Sequence, residues 1–314
     1  MTKTLHLQKR FLDDTPRTFI FHHVARSGGG NIDEMCVQRY GHDATFNITG
    51  RRGYERLDHY LSLPDAEKLK TKVITGHNSF GVHDFVPGPY AYFTFLRNPI
   101  DGFLSQYYWF LTGIPKNEHQ KHIGIPLEEF GIEQYVEYAE NNGYDVVTST
   151  NWLATHWHGE RAGKEVPTAV SIKQNGFLAQ ERCTEEIFEQ AIKNLETHYA
   201  FIGITEKYAE TIFLLNKMMG WDYSIPFPHT NRAKKPVQKS ELSPDILERI
   251  KKLRFYDFKL YAMAKEWFSN LVEKEGVCQD TVFLSYQKDV EKNRHETQSP
   301  SDSIYIREFL EQKK

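Results

Sequence analysis

Three sets of residues in this chain have types and spacings suited to chemistry. The first is Arg26, Ser27, Gly28, Gly29 and Gly30, in the stretch "TFIFHHVARSGGGNIDEMCVQRYG", residues 18–41. An apolar, β-branched and aromatic run precedes them, and a helical pattern closed by Gly41 follows. A glycine-rich turn at a helix N-terminus can aim backbone amides at an anion, and Arg26 adds a full positive charge. Such a turn also serves as plain punctuation between strand and helix, so the loop alone leaves both readings open. The second set is Arg97 and Ser105, in "YAYFTFLRNPIDGFLSQYY", a second strand-to-helix junction with an arginine at its tip. The third is His77, which ends the run "KVITGH", with His83 shortly after it. Histidine has an intrinsic pKa near neutrality, as a general base for a hydroxyl group requires.

Common nucleotide motifs are missing from the first loop. It has no G-x-x-x-x-G-K-[ST], and no G-x-G-x-x-G with an acidic residue about 20 positions on. No carboxylate cluster stands out that would hold a divalent metal, so no metal site is expected. Cys36, Cys183 and Cys278 are far apart and form no metal-ligand spacing. Reduced, structural thiols in a cytoplasmic protein are the expectation.

The elements that position these residues alternate between strand and helix. After the opening strand and a helix from about Ile32, "KVITGH" (72–77) and "YAYFTFLR" (90–97) read as buried strands. Asn98 offers an N-cap, Pro99 suits a first helical turn, and "IDGFLSQYYWFL" continues as an aromatic-rich helix. Gly113, Pro115, Gly124 and Pro126 mark a loop over 113–126. Helices are expected in "PLEEFGIEQYVEYAENNG" and "STNWLATHWHG", then a polar loop to about residue 183. "TEEIFEQAIKNLETHYAFIGITEKYAETIFLLNKMMGW" gives helix, strand and helix. "IPFPHTNRAKKP" is a basic, proline-punctuated loop, and "SPDILERIKKLRFYDFKLYAMAKEWFSNLVEK" one long helical region. The last forty or so residues are polar, with a short helix over "DSIYIREFLEQ". Strands alternating with helices predict an α/β fold with a parallel sheet covered on both faces.

At 314 residues, with a net charge of -3 and 26% charged residues, the chain can bury a sizeable core. That balance argues against bulk binding to nucleic acid or to an acidic membrane surface. No signal-peptide core is visible, and no segment approaches about 18 uninterrupted apolar residues.

With these elements in order, the sequence resembles the PAPS-dependent sulfotransferases (PAPS is 3′-phosphoadenosine 5′-phosphosulfate). The likeness is to the carbohydrate-type and bacterial branch, including heparan sulfate 2-O-sulfotransferase-like enzymes. "HVARSGGGN" matches the family loop H-I-P-K-T-G-G-T-S, and "FTFLRNPIDGFLSQYY" matches its R-D-P strand end with a serine eight residues after the arginine. "TGHNSFGVHDF" resembles the Gly-His segment, "AIKNLETHYAFIGITEKYAETIFLL" the G-x-T-E block, and "DFKLYAMAKEWF" the closing D-x-x-L-Y helix. The likeness runs from about residue 18 to 272. It departs from the family at Arg26, where lysine is usual, at Gly30, where a hydroxyl residue is usual, and at Asn31, which replaces serine. These departures put turnover in more question than nucleotide binding.

The resemblance implies a P-loop-like three-layer α/β/α fold with helical additions, forming one domain over 1–275 and a polar extension over 276–314. It implies transfer of a sulfuryl group from PAPS to a hydroxyl or amine, with adenosine 3′,5′-bisphosphate as product. Arg26, Ser27, Gly28, Gly29, Gly30 and Asn31 would then hold the phosphosulfate, with Arg26 facing the leaving phosphate. Arg97 and Ser105 would grip the 3′-phosphate. Arg232 lies on the late basic loop, with Lys234 and Lys235, where relatives close over the nucleotide. Thr205 would touch the adenine side or cap helix 206–219. His77 is the expected base and His83 the second choice or a substrate contact, while a glutamate base remains open. Tyr107, Tyr108, Trp109, Trp152, His156 and Trp157 would lie near the cleft mouth on the acceptor side, where aromatic faces suit sugars or flat natural products, although at helical spacing core packing is the default reading. Lack of a long basic groove or membrane anchor favours a small cytosolic acceptor, including a carbohydrate, over a Golgi-type glycosaminoglycan. Two other readings stay open: a PAPS-binding protein that has lost catalysis, and a P-loop-type nucleotide kinase, against which the missing G-K-[ST] argues.

Overall fold

Continuous apolar runs make the central strands. In the computed structural model these are Thr18–His22 (β1), Val73–Gly76 (β3), Tyr90–Leu96 (β4) and Tyr199–Ile204 (β5), with the short Thr45–Asn47 (β2) at one edge. The structure describes residues 4–7, 17–48, 53–77, 79–113, 124–141, 148–154, 183–221 and 237–293. Every strand pair is parallel, in the order β2-β3-β1-β4-β5, with Ile20 of β1 aligned to Ile74 of β3 and to Tyr92 of β4. Strands buried on both faces need no polar alternation, which is why β3 and β5 are buried at every position. The three-layer α/β/α architecture expected from the sequence is the one observed.

The chain leaves β1 through Gly30–Tyr40 (α1) toward β2 and β3, whereas β4 lies on the other side of β1. Connections therefore diverge between β1 and β4, and a crevice opens beyond the carboxyl ends of those strands, the place where open α/β sheets bind ligands. Gly53–Ser62 (α2) and the single turn Asp65–Lys68 (α3) precede β3. Pro99–Gly113 (α4) follows β4. Beyond it come Ile132–Asn141 (α5), Ser149–Ala154 (α6), Glu185–His198 (α7) and Tyr208–Met219 (α8).

Two apolar clusters support the crevice. The main one lies on the sheet and includes Ile20, Phe21, Phe93, Phe95 and Phe201. The second joins Phe103, Tyr107 and Phe110 of α4 to Tyr135 of α5 and to Ile250 of Pro244–Leu253 (α9). Each aromatic buried there contributes about 1.5–3 kcal/mol, enough to hold α4 in place while its opposite face stays open.

The long helical region expected near the end is broken at Arg254. Phe255–Lys274 (α10) starts afresh there, because Arg254 leaves helical geometry and buries its guanidinium on Asp257 at 3.2 Å and Gln106 at 3.1 Å. Beyond residue 275, Val277 and a further helix, Thr281–Asn293 (α11), pack inward. Phe283 and Tyr286 belong to the main core, with Phe283 5.1 Å from Phe213. The stretch read as polar extension thus contributes apolar side chains spaced for one buried face. The segment "DSIYIREFLEQ" lies outside the described residues. No helix among the described residues is long and apolar enough to cross a membrane.

Candidate active site

Between β1 and α1 the backbone reverses through two left-handed residues, Arg26 at φ 65° and Gly28 at φ 88°. Glycine accepts that geometry at no steric cost, whereas Arg26 holds it against its own Cβ. Gly29 answers a different need. A Cβ there would stand 2.5 Å from Cδ2 of His23 and 2.7 Å from Cζ of Phe21, so only glycine lets the loop lie on those rings. Partners from distant segments hold three successive loop carbonyls. Arg26 O accepts from Arg97 Nη1 (3.1 Å), Ser27 O from Thr205 Oγ1 (2.6 Å), and Gly28 O from Tyr208 Oη (3.5 Å). Among the described residues no acceptor pairs with the amides of Gly28, Gly29 and Gly30, which sit where helix N-termini receive anions.

The second junction meets the first. Asn98 Oδ1 accepts from the amides of Ile100 (3.1 Å) and Asp101 (3.5 Å), capping α4 as its sequence predicts. That start angle puts Gly102, Ser105 and Tyr108 on one face by helical spacing. Arg26 Nε donates to Ser105 Oγ at 3.1 Å, so Arg26, Arg97 and Ser105 form one group. Neither arginine makes an ion pair with a carboxylate among the described residues. Burial, and then the charge of Arg97, lower the Arg26 pKa from its ordinary value, with Tyr135 and Tyr108 opposing. Burial also lowers Arg97, while Asp101 and Glu206 raise it. Two buried guanidiniums, neither in an ion pair with a carboxylate among the described residues, favour a ligand carrying more than one negative charge. Gly102, Gln106 and Arg254 line the same cleft as these two arginines.

Behind the glycine turn lies a cluster of histidines. The His77 ring lies 4.4 Å from that of His23 and 5.2 Å, edge-on, from that of Trp152. His77 Nδ1 stands 2.7 Å from the His23 carbonyl oxygen. A carbonyl only accepts, so Nδ1 carries the proton and Nε2 keeps its lone pair, the tautomer a base needs. Burial, with His23 next in effect, pushes the His77 pKa from 6.5 down to about 3. This corrects the expectation of a near-neutral value, since burial in a cationic pocket weakens the base. His22 and His23 are likewise lowered to about 3, chiefly by burial. Asp33, in the first turn of α1, approaches His23 Nδ1 at 4.0 Å.

Other expected residues fall elsewhere. His83 sits at the amino ends of β4 and β5, bonded through Nδ1 to Tyr92 Oη at 2.9 Å and 4.4 Å from the His198 ring, away from the glycine turn. Thr205 does not cap a helix: its hydroxyl is committed to the Ser27 and Leu96 carbonyls. Tyr107 belongs to the second core and donates to Phe130 O at 3.2 Å. Trp109 is exposed, Tyr108 is half-buried beside Arg26, and Trp152 forms the wall behind His77. His156 and Arg232, with Trp157, Lys234 and Lys235, lie outside the described residues. Sequence reasoning missed His23, Asp33 and Tyr208. His23 is legible as the first letter of "HVARSGGGN"; the other two act through space and carry no local signal.

Heparan-sulfate 6-O-sulfotransferase 2 from Homo sapiens and from Mus musculus are each 30% identical to the chain over 101 residues, which span 32% of this chain and 16% of the relative. The model of the sulfotransferase family matches residues 9–263, most of the length, so the chain belongs to the sulfotransferase family.

Proposed function

We propose that the protein transfers a sulfuryl group from PAPS to a hydroxyl or amine of a small-molecule or carbohydrate acceptor. The observation that carries this reading is the meeting of Arg26, Arg97 and Ser105 at the glycine turn, a grouping suited to a nucleotide with phosphates at both 5′ and 3′ positions. When bound, PAPS supplies an activated sulfur that the acceptor attacks in line, the bridging oxygen departing with the 5′-phosphate. The amides of Gly28, Gly29 and Gly30 and the Arg26 guanidinium would neutralise charge growing on that phosphate. Arg97 and Ser105 would hold the 3′-phosphate. His77 would receive the acceptor proton at Nε2, and the bound anion would lift its pKa from the depressed value. His83, enclosed by Tyr90, Tyr92 and His198, takes no part in this assignment. A cytoplasmic setting, consistent with three free cysteines, belongs to the same proposal.

One observation favours a second reading, a nucleotide-binding relative without turnover: Arg26 is bonded to Ser105, on the 3′-phosphate side. Two measurements decide. Calorimetric titration should show adenosine 3′,5′-bisphosphate binding at least tenfold tighter than AMP, since losing a charge-assisted contact costs about 1.5–3 kcal/mol. Transfer of radiolabelled sulfate from PAPS across a panel of sugars, phenols and amines should then label at least one acceptor. Equal binding of the two nucleotides would refute the donor assignment, and binding without any transfer would favour the second reading.

A further inference from the structure

Thr205 follows β5 directly, and its hydroxyl oxygen lies 2.6 Å from the Ser27 carbonyl oxygen and 3.0 Å from that of Leu96. Ser27 comes immediately after Arg26, and Leu96 immediately before Arg97. One hydroxyl hydrogen, shared between two carbonyls, therefore ties together the two chain segments that carry the cleft's Arg26 and Arg97 guanidiniums. Arg97 Nη1 on the Arg26 carbonyl makes a second tie across the same gap. The Thr205 methyl faces Gly28, where an added Cβ would stand 3.4 Å from it, so both branches of the side chain meet the loop.

We propose that Thr205 is a positioning residue that sets the separation of Arg26 and Arg97, and so the preference for a nucleotide phosphorylated at both ends of the ribose over one with a 5′-phosphate alone. The inference rests on the donor reading above, but gives Thr205 a role that needs no contact with adenine. A hydroxyl already serving two carbonyls has no second hydrogen for a base. Bonds internal to the loop, Ser27 N to Val24 O at 3.3 Å and Ile32 N to Gly29 O at 3.0 Å, do not depend on Thr205. They keep the 5′ half of the site formed when the tie is removed.

The test uses the full chain with two variants. Thr205→Val keeps the branched shape and removes the donor; Thr205→Ser keeps the donor and removes the methyl. Each is titrated calorimetrically with adenosine 3′,5′-bisphosphate and with AMP, and its thermal midpoint is recorded. Thr205→Val should bind the bisphosphate about 5- to 10-fold more weakly while AMP affinity changes by less than about twofold, and Thr205→Ser should restore the native ratio. A native ratio in Thr205→Val overturns the proposal, as does an equal loss for both ligands, which would mark general damage to the loop. If the native protein itself does not prefer the bisphosphate, the donor reading fails first and this proposal with it. If it does and Thr205→Val behaves as native, Thr205 alone is refuted.

Discussion

Two histidine clusters occupy opposite ends of the same sheet, and they differ in what their nitrogens face. At the amino ends, Tyr92 Oη donates to Ser79 O (2.9 Å), so His83 Nδ1 must donate to Tyr92 Oη, and Asp84 Oδ1 stands 3.6 Å from Nε2, placed to pair with the imidazolium form. Nearby, Tyr90 Oη and His198 Nδ1 are 2.9 Å apart. Polar atoms there find partners inside the protein, as buried groups ordinarily must. At the carboxyl ends, a carbonyl fixes His77 by one nitrogen, and among the described residues its surroundings include the Arg26 guanidinium, which lowers its pKa, and Asp33, which raises it. Burial is common to both ends. A closed set of partners suits a structural histidine, and a half-closed set suits the role proposed for His77.

The largest effect expected from this contrast is at His77. His77→Ala should lower turnover by about 10²–10⁴ while nucleotide affinity stays nearly unchanged. His83→Ala should instead lower the unfolding free energy by about 1–3 kcal/mol with turnover per folded molecule kept, because it strands the Tyr92 hydroxyl network. Reversed results in a transfer assay and a urea titration would exchange the two assignments.

Arg26→Ala comes next, with turnover falling by about 10²–10³. Because Arg26 also reaches Ser105, nucleotide affinity should fall as well, but by a smaller factor. A loss confined to affinity would move Arg26 wholly to the 3′-phosphate. Arg97→Ala should weaken adenosine 3′,5′-bisphosphate by about 10- to 100-fold in calorimetry, leaving AMP little affected. Similar losses for both ligands would contradict its place at the 3′ end.

A separate effect, read in stability rather than in rate, is its dependence on pH. His22, His23 and His77 are held near 3 in the fold, against 6.5 in an unfolded chain. Between those values the unfolded state binds more protons, so stability is full above about pH 6.5 and declines as pH falls toward 3. Each proton that the fold excludes and the unfolded chain binds steepens that decline. Urea midpoints at pH 7, 6 and 5 should decrease in order. A flat series would mean that the cluster admits protons and water.

The elements of the fold and the letters of the site were legible in the sequence because their signals are local. Fully buried strands show as unbroken apolar runs, Asn98-Pro99 announces a helix start, and a glycine turn after β1 marks a junction. β2, α2 and α11 were not legible. β2 has three residues, α2 shows no distinct cap signal, and the apolar face of α11 is diluted by polar neighbours. The chain by itself determined the alternation of strand and helix, the presence of Arg26, Arg97 and His77 near strand ends, and that of Ser105 on the helix after β4. Tertiary structure alone decided what each does there. Arg26 reaches Ser105 across 79 positions and Thr205 reaches Ser27 across 178, while burial among groups remote in sequence lowers the His77 pKa. Periodicity describes which way a residue faces within its own element; partners and dielectric surroundings come from packing between elements, and those two quantities set charge, tautomer and role.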